Sequence, residues 1–174
     1  MRVKTMRKIF GMMAATQQGV VGDKGKTPWD YPEELEMFRA ATTGHVVIMG
    51  RKTAEAIPEP FFGKREAIVL TRNRSLESPF FTTAHSPGES LALAHEKAGG
   101  ERRIFMIGGA ETAHEFLRRD LIDSFILTTI HTPHDGDAVL DLSLLRGWRP
   151  TLRRVAEEFH VNEFARPRRA APVF

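Results

Sequence analysis

Short apolar runs alternate along this chain with segments whose apolar positions recur at helical spacing. The compact runs are typical of strands buried on both faces, and they cover Ile9–Ala15, Val46–Met49, Ala67–Leu70, Ile104–Ile107 and Phe125–Ile130. The segments between them are predicted helices at Pro32–Ala41, Thr53–Ala56, Glu89–Ala98 and Thr112–Arg119. Strands that alternate with helices predict an α/β fold, in which helices flank a mostly parallel central sheet.

Weaker patterns complete this prediction. Val20-Val21 is a short apolar piece after a polar turn, and Phe80–Thr83 is a candidate further strand. We interpret Pro58–Gly63 and Arg72–Gly88 as loop-rich. The basic N-terminus followed by the apolar run Ile9–Ala15 allows a secretory signal as an alternative. Because that run has the minimum length for a signal and contains a glycine, we favour a buried first strand.

Length and composition narrow the class of protein. The chain of 174 residues has the size of one domain, and we expect 1–174 to form a single domain. It contains no cysteine, which excludes a disulfide framework and thiolate chemistry. This composition suits the reducing cytoplasm, where we expect the protein to reside. No apolar run approaches the ~20 residues of a membrane span, so we expect no membrane partner.

The charge is moderately basic, with a formal net charge of +3 and a pI of about 9.5. Nucleic acid is not an expected partner, because no nucleic-acid module signature accompanies the basic residues. Positive charge could instead serve a phosphorylated cofactor. We interpret the arginines near the C-terminus as a solvated basic face: Arg153, Arg154, Arg166, Arg168 and Arg169.

One predicted helix carries an acid at an unexpected position. Pro32 suits the first turn of that helix, and Glu34 then lies on the same face as Phe38, four residues later. A carboxylate on the apolar side of a helix is desolvated, which raises its pKa and lets it hold a proton near neutrality. The alternative is that Glu33, Glu34 and Glu36 are three solvated acids at the start of a helix.

Three turns that follow predicted strands have the composition of phosphate sites. Ile107–Glu111 contains paired glycines, Met49–Thr53 contains a glycine, two cations and a hydroxyl suited to capping a helix, and Thr71-Arg72 adds a hydroxyl and a guanidinium. Glycines let the backbone approach a ligand, and a helix N-terminus offers free N–H groups. Neither the Rossmann nor the P-loop spacing is present. Because all three follow carboxyl ends of strands, they favour a dinucleotide phosphate site.

Together, these motifs resemble dihydrofolate reductase. The matching pieces occur in the family order over roughly 8–148, and they are G-V-V-G-D-K-G-K-T-P-W, P-E-E-L-E-M-F-R, V-I-M-G-R-K-T, I-V-L-T-R, I-G-G-A-E, and L-T-T-I followed by D-G-D. The resemblance implies the fold of that family and reduction of 7,8-dihydrofolate by NADPH, with hydride transfer to C6 and protonation at N5. It also implies a monomer.

The resemblance assigns roles around the substrate. Glu34 would be the active-site acid, Thr128 would support its carboxylate, and Trp29 would hold an ordered water near it. Residues expected at the substrate are Met12 and Ile107 through their carbonyls, Leu35, Phe38 and Ile57 as an apolar trough, and Arg65 as the clamp for the glutamate tail. Lys64 is a rival for that clamp, because the usual Gly-Arg pair is interrupted here.

The resemblance also assigns the NADPH site and the subdomains. Residues expected to contact NADPH are Ala14, Val21, Gly22, Gly50, Arg51, Lys52, Thr53, Thr71, Arg72, Gly108, Gly109, Ala110, Glu111 and Thr112. Residues 46–102 would form an adenosine-binding subdomain and the remainder a loop subdomain. Within the latter, Val20–Lys26 would be a mobile loop that closes over the nicotinamide.

Two departures from the family pattern keep alternatives open. Ala113 stands where the family commonly has a tyrosine near the site of hydride transfer. Pro167 and Pro172 oppose a regular strand, so we expect the antiparallel C-terminal edge to be shortened or irregular. The alternative functions are reduction of another pterin, reduction of an aminopyrimidine ribosyl phosphate, or nucleotide binding without turnover.

Two histidines near the end of the family motifs invite a metal site. His131 and His134 lie close to Asp135 and Asp137, but two histidines three apart with a proline between them do not fix a ligand geometry. We therefore expect no metal, and a loop over the sheet edge. By the resemblance, Asp137 would organise this loop against the mobile loop near Gly22.

Overall fold

A computed structural model describes residues 6–168. Its strands are β1 (Ile9–Thr16), β2 (Val20–Gly22), β3 (Val46–Gly50), β4 (Glu66–Leu70), β5 (Thr82–Ala84), β6 (Ile104–Met106), β7 (Ser124–Ile130), β8 (Ala138–Val139), β9 (Arg149–Val155) and β10 (Phe159–Ala165). Its helices are α1 (Pro32–Thr42), α2 (Arg51–Ala56), α3 (Pro87–Ala98) and α4 (Ala110–Arg118), and 3-10 helices span Glu59–Lys64 and Leu142–Leu145. None of these helices combines the length and apolarity that a bilayer crossing requires.

The main sheet has eight strands in the order β5-β4-β3-β6-β1-β7-β10-β9. Neighbouring strands from β5 to β7 are parallel, whereas β10 runs antiparallel to both β7 and β9. This confirms the predicted α/β fold with a mostly parallel sheet and an antiparallel C-terminal edge. Strands β2 and β8 pair separately as a two-stranded antiparallel sheet.

The central strands are buried on both faces. On β3, Val46 and Ile48 pack into one apolar cluster, while Val47 and Met49 pack into a second cluster on the other face. The division follows from the alternation of side chains across a strand. All four side chains are fully buried. The segment therefore has a continuous apolar sequence rather than an alternating one.

The C-terminal edge is irregular but not shortened. Strands β9 and β10 are each seven residues long, and their register shifts between Val161 and Asn162. Pro150 is tolerated because β9 is the edge strand of the sheet. Pro167 follows the end of β10 and so removes none of its ladder bonds. Pro172 lies outside the described residues.

Of the C-terminal arginines, Arg153, Arg154 and Arg168 are exposed and Arg166 is half-buried. The prediction of a solvated face omitted the ion pairs that three of them make. Arg153 pairs with Glu163 across the β9–β10 hairpin. The pairs of Arg154 with Glu33 and of Arg166 with Asp123 link the hairpin and the segment after it to other elements. The first of these two pairs joins β9 to the first turn of α1. Arg169 lies outside the described residues.

Several predicted boundaries are wrong in detail; among them, α3 and α4 each begin two residues earlier than predicted, at Pro87 and Ala110. Helix α2 begins at Arg51, so Thr53 lies inside it and does not cap it. The segment Pro58–Gly63 is mostly a 3-10 helix rather than a loop, because proline near its start and a buried aromatic side chain fix its conformation. Within Phe80–Thr83, only the last two residues belong to β5.

Candidate active site

A cleft opens where strand β1 continues beyond the end of its neighbour β6. The two strands pair from Ile9 to Gly11, where β6 ends at Met106, while β1 continues to Thr16 alongside β7. The chain after β6 turns toward β3, since the Ile107 N–H donates to the Ile48 carbonyl at 2.9 Å. The second half of β1, with the predicted residues Met12 and Ala14, therefore faces the turn after Ile107 across an unpaired gap. Ligands of open α/β sheets bind at such carboxyl-end crevices.

Helix α1 sets an acid against this cleft. Glu34 is half-buried, and burial raises the pKa of its carboxyl above the ordinary value. Glu33 and Glu36 are exposed, so the interpretation as solvated acids fits those two and not Glu34. One turn further along α1, Met37 packs beside Trp29, and Phe38 packs with Met12 and Ile107 on the other side. The Glu34 carboxyl thus lies on the helix face between these two apolar clusters.

The local sequence explains where α1 begins. Pro32 occupies its first turn, Tyr31 precedes it in an extended conformation, and the N-cap makes no side-chain hydrogen bond. Proline loses nothing in a first turn, because its missing N–H would have no partner there. Acids in that turn oppose the positive end of the helix dipole. The same dipole favours the ionised form of Glu34, so desolvation outweighs it in raising the pKa of that carboxyl.

Trp29 and Thr128 lie on the β7 side of the cleft. Trp29 is only 8% exposed and packs against Ile130, Phe159 and Val161. Its indole Nε1 is buried without a hydrogen-bond partner among the described residues, which fits the predicted ordered water. Thr128 is buried and stands in register beside Ala14 of β1.

The apolar trough ends in a guanidinium. The rings of Phe38 and Phe61 stack with centroids 6.1 Å apart and planes within 8° of parallel. The Arg65 guanidinium lies 3.8 Å from the centre of the Phe61 ring. Ile57 packs into the same cluster, whereas Leu35 is 43% exposed at the solvent edge. One continuous wall therefore runs from the acid-bearing helix to Arg65.

Arg65 is held in place, and its rival is not. Its guanidinium donates four hydrogen bonds, to Thr42 Oγ1 at 2.9 Å, the Phe61 carbonyl at 2.9 Å, the Arg39 carbonyl at 3.3 Å and Thr43 Oγ1 at 3.3 Å. Burial and repulsion from Arg39 lower the pKa of Arg65. Lys64 is exposed at the end of the 3-10 helix. Two cations near an apolar wall fit an anionic tail, and the fixed guanidinium favours Arg65.

The two glycine turns meet at the other end of the cleft. The Gly50 N–H donates to the Gly108 carbonyl at 2.8 Å. A Cβ atom on Gly50 would lie 2.6 Å from Thr112 Oγ1, and one on Gly109 would lie 3.2 Å from Thr53 Oγ1. The sequence placed these turns at the same sheet edge, and the structure brings their backbones into direct contact. A side chain at Gly50 would displace Thr112.

Two helices begin at these glycines without side-chain caps. The N-caps of α2 and α4 are Gly50 and Gly109, whereas α3 is capped by Ser86, whose hydroxyl accepts from the Glu89 N–H at 3.1 Å. First-turn N–H groups lack intrahelical partners and carry partial positive charge. Two such termini side by side fit the phosphates of a dinucleotide. Ala110 and Glu111, both predicted cofactor residues, lie in the first turn of α4.

The predicted cations lie along the same edge, which β3 and β4 share as neighbours. Arg51 is ion-paired with a glutamate one turn later on α2, at 2.7 Å. Lys52 and Arg72 are exposed. Thr71 is buried after β4, and its hydroxyl accepts from the Asn73 N–H at 3.0 Å. The exposed cations are therefore available to an anionic ligand, while Thr71 already has one partner.

The loop predicted to cover the cleft is anchored by the segment around β8. Val21 and Gly22 belong to β2, which pairs with β8. The Asp137 carboxylate accepts from the Lys24 N–H at 3.2 and 3.3 Å. A Cβ atom on Gly136 would lie 2.4 Å from the Gly22 carbonyl oxygen, so the two segments are in close contact. The contact that the resemblance implied for Asp137 is present.

The two histidines of the intervening loop have separate environments. His131 bonds through Nδ1 to the Glu157 carbonyl and through Nε2 to His160, both at 2.9 Å. The His134 ring packs against Trp29. Over 6–168, no group of three or more histidine, cysteine, aspartate or glutamate side chains could hold a metal ion.

A separate cavity of about 380 Å³ lies on the opposite face of β7 and β10. Leu127, Thr129, His160 and Asn162 contribute to its walls. Thr128 points to the other face, because side chains alternate along β7. None of the residues predicted to bind substrate or cofactor lines this cavity.

Comparison with known proteins identifies the family. The family model for dihydrofolate reductase matches residues 8–165. Dihydrofolate reductase HdrB of Haloferax volcanii is 36% identical over 135 residues, covering 74% of this chain and 68% of that protein. Dihydrofolate reductase of Lactococcus lactis is 30% identical, covering 87% of each chain. This chain belongs to the dihydrofolate reductase family.

A solved structure agrees with that assignment. Dihydrofolate reductase from Enterococcus faecalis, in complex with NADP(H) and RAB-propyl, superimposes with a TM-score of 0.72 at 27% sequence identity. The superposition covers 91% of this chain and 95% of that one. The shared architecture therefore extends over almost all of both proteins.

One departure from the dihydrofolate reductase pattern is buried in this structure. Ala113 on α4 is fully buried in the main apolar cluster. Its position follows directly from the glycine turn, within the first four residues of α4. The hydroxyl that many dihydrofolate reductases place at this point is replaced here by a methyl group in contact with the core.

Sequence reasoning missed three residues of the site. Phe61 stacks between Phe38 and Arg65. The sequence feature that could have indicated it is the aromatic pair that begins four residues before Arg65, in a segment interpreted as a loop. Thr42 holds the Arg65 guanidinium from the end of α1, and no pattern in the sequence indicates this contact. The ring of His134 contacts Trp29, whereas the sequence suggested only a metal-ligand role for this residue.

Proposed function

We propose that this dihydrofolate reductase family member reduces 7,8-dihydrofolate to 5,6,7,8-tetrahydrofolate with NADPH. The observation that carries the proposal is Glu34, a half-buried acid whose pKa burial raises, on the helix face between the two clusters that border the cleft. The family assignment favours this substrate over another pterin or an aminopyrimidine ribosyl phosphate.

Glu34 binds and orients the pterin in this proposal. Its carboxylate accepts from the pterin amino group and N3, while the carbonyls of Met12 and Ile107 face the same ring. The stacked wall of Phe38 and Phe61 supports an aminobenzoyl group, since it is apolar and lies between Glu34 and the cation. Arg65 then pairs with the carboxylate of the glutamate tail, exchanging its long 3.3 Å contacts for the stronger charged ones.

Glu34 also controls the proton that reaches N5. A carboxyl with a raised pKa retains a proton closer to neutral pH, where general acid catalysis is needed. The proton passes through a water held by the indole N–H of Trp29, which has no protein partner among residues 6–168. Thr128 supports the carboxylate from β7. Leu35 and the lid from Val20 to Lys26 exclude bulk water when the cleft is closed.

The cofactor lies along the glycine turns in this proposal. When bound, NADPH supplies the hydride that is added to C6 of the pterin. The first-turn N–H groups of α2 and α4 hold the diphosphate, which the cradle at Gly50 and Gly109 admits because neither carries a side chain. Arg51, Lys52 and Arg72 contribute positive charge to the 2′-phosphate and diphosphate.

The proposal extends to organisation and location. Residues 46–102 form the adenosine-binding subdomain, and the remainder forms the loop subdomain with Glu34 and the lid. The protein acts as a monomer in the cytoplasm without a nucleic-acid partner. Light scattering after size-exclusion chromatography tests whether the protein is a monomer, and a dimer would contradict the proposal on that point.

The test is a matched pair of substitutions on one helix. Glu34→Gln keeps the shape and removes the titrating group, and it should lower dihydrofolate-dependent NADPH oxidation by about 100- to 10,000-fold while NADPH affinity is retained. Glu36→Gln, on the exposed face of α1, should keep parental turnover. Absence of a substrate-dependent rate in the folded parent contradicts the proposed function, and equal effects of the two substitutions contradict the role of Glu34.

A further inference from the structure

Two buried nitrogen atoms without hydrogen-bond partners belong to neighbouring rings, those of Trp29 and His134. Among residues 6–168, Trp29 Nε1 and His134 Nε2 are the buried side-chain nitrogen or oxygen atoms that make no hydrogen bond. They belong to adjacent rings, whose centroids are 5.7 Å apart and whose planes are inclined by 54°. Buried polar groups in proteins are normally satisfied, by protein or by ordered water. Two such groups on neighbouring rings can be satisfied together by one shared partner.

The chemistry of the two groups is complementary toward water. The indole N–H of Trp29 can only donate. The Nε2 atom of a neutral His134 accepts when the proton is on Nδ1. One water can accept from the indole and donate to the imidazole, which satisfies both atoms and leaves its second hydrogen and lone pair for other groups.

We infer that His134 and Trp29 together hold one ordered water at the entrance to the proton path of Glu34. This inference rests on the proposed function, in which Trp29 already holds a water near the acid. His134 is the added element: a positioning residue that fixes the water through its acceptor nitrogen. Trp29 alone would leave the water free to turn, whereas a donor and an acceptor together fix its orientation.

The segment that carries His134 is anchored on both sides. Before it, His131 bonds to the Glu157 carbonyl and to His160, each at 2.9 Å. After it, Asp137 accepts from the Lys24 N–H of the lid. The water site is therefore assembled from the Trp29 segment and from the segment that grips the lid, so its geometry depends on the lid being in place.

The first experiment is a crystal structure of the parent at a resolution that reveals ordered water. We expect one water within hydrogen-bond distance of both Trp29 Nε1 and His134 Nε2. Direct protein partners for either nitrogen, or two separate waters, would overturn the inference. This outcome does not depend on turnover, so it is decided even if the parent fails to reduce dihydrofolate and the proposed function falls.

The second experiment is a double-mutant cycle. Trp29→Phe and His134→Phe each remove one nitrogen and keep a ring, and each should lower kcat for dihydrofolate by about fivefold. The double variant should lose about the same factor, because the shared water is lost once in every case. Losses that multiply would overturn the inference.

A conservative variant distinguishes positioning from packing. The side-chain amide of His134→Gln can offer an acceptor near the former Nε2 position. We expect it to restore kcat to within twofold of the parent, with NADPH affinity unchanged in all variants. If Gln behaves like Phe, the ring and not the nitrogen matters, and the inference is overturned. Thermal melting checks that each variant folds.

Discussion

The two ends of the cleft are built by different means. At the glycine turns, backbone meets backbone, since the Gly50 N–H bonds directly to the Gly108 carbonyl. At the acid-bearing end, side chains form the surface, with Glu34 on its helix and Arg65 held against Phe61. The geometry of a site built from backbone is determined by the fold, and such a site has no room for an added side chain. The geometry of a site built from side chains depends on the contacts that hold each side chain in its conformation. The two ends should therefore fail differently on mutation.

Besides the loss expected for Glu34→Gln, the largest effect is expected at the guanidinium of the side-chain-built end. Arg65→Ala removes the charged donor that we propose for the substrate tail, and it should raise the KM for dihydrofolate by about tenfold to a hundredfold. Lys64→Ala, its neighbour, should leave the KM within twofold. An analogue that lacks the glutamate tail should lose this distinction. If Lys64→Ala has the larger effect in steady-state kinetics, the assignment of the clamp is reversed.

The next effect should appear at the backbone-built end. Gly50→Ala places a Cβ 2.6 Å from Thr112 Oγ1, so overpacking of about 1–3 kcal/mol should weaken NADPH binding by about fivefold to a hundredfold. Combining it with Thr112→Ala removes the clashing atom and should recover affinity to the level of Thr112→Ala alone. Calorimetry with NADPH measures both. Gly50→Ala with parental affinity would show that this contact is not part of the cofactor cradle.

A smaller effect is expected at the proposed lid, where the segment after β7 holds it. Asp137→Ala removes the acceptor of the Lys24 N–H, a contact of about 1 kcal/mol, and should lower kcat by a few fold with a faster-moving lid. Asp135→Ala, exposed on the same segment, is the matched control. Relaxation-dispersion NMR and turnover together test this. Equal behaviour of the two variants would remove Asp137 from lid control.

The smallest effect concerns the pH dependence of stability. Because burial raises the folded-state pKa of Glu34 above 4.5, the folded protein keeps this proton longer than the unfolded chain does. The parent therefore loses stability as pH rises from about 4.5 through the raised pKa, and Glu34→Gln does not share this loss. The advantage of Glu34→Gln in urea unfolding should grow across that window and then level off. A difference that stays constant with pH would contradict the raised pKa.

The backbone-built end was largely predictable from the sequence. A buried strand followed by glycine and then by a helix fixes the position of a turn at the sheet edge, so the sequence predicts that Gly50, Gly108 and Gly109 share one edge. The exact start of α2 was missed, because Thr53 was interpreted as a cap when Gly50 precedes the helix. A glycine N-cap has no side chain that would mark it in the sequence. For the same reason no side chain accepts from the first N–H groups of the helix.

The side-chain-built end was predictable only where helical spacing or family resemblance applied. The position of Glu34 relative to Phe38 follows from one helical turn, and the structure adds the burial that separates it from Glu33 and Glu36. The position of Phe61 was not predictable, because it depends on a 3-10 helix in a segment whose prolines led to its interpretation as a loop. His134 reaches Trp29 through tertiary packing across more than a hundred residues, which no local pattern encodes.

The compartment around Trp29 is completed by the last strands of the sheet. Phe159 and Val161 of β10 pack on this indole, and Arg154 of β9 grips the helix that carries the acid. A ribosome releases residues in order, so the turns at Gly50 and Gly108, which we propose bind the cofactor, emerge long before the strands that enclose Trp29. Reductive activity is accordingly expected only once the β9–β10 hairpin has emerged. A polypeptide truncated before that hairpin would leave Trp29 open to solvent.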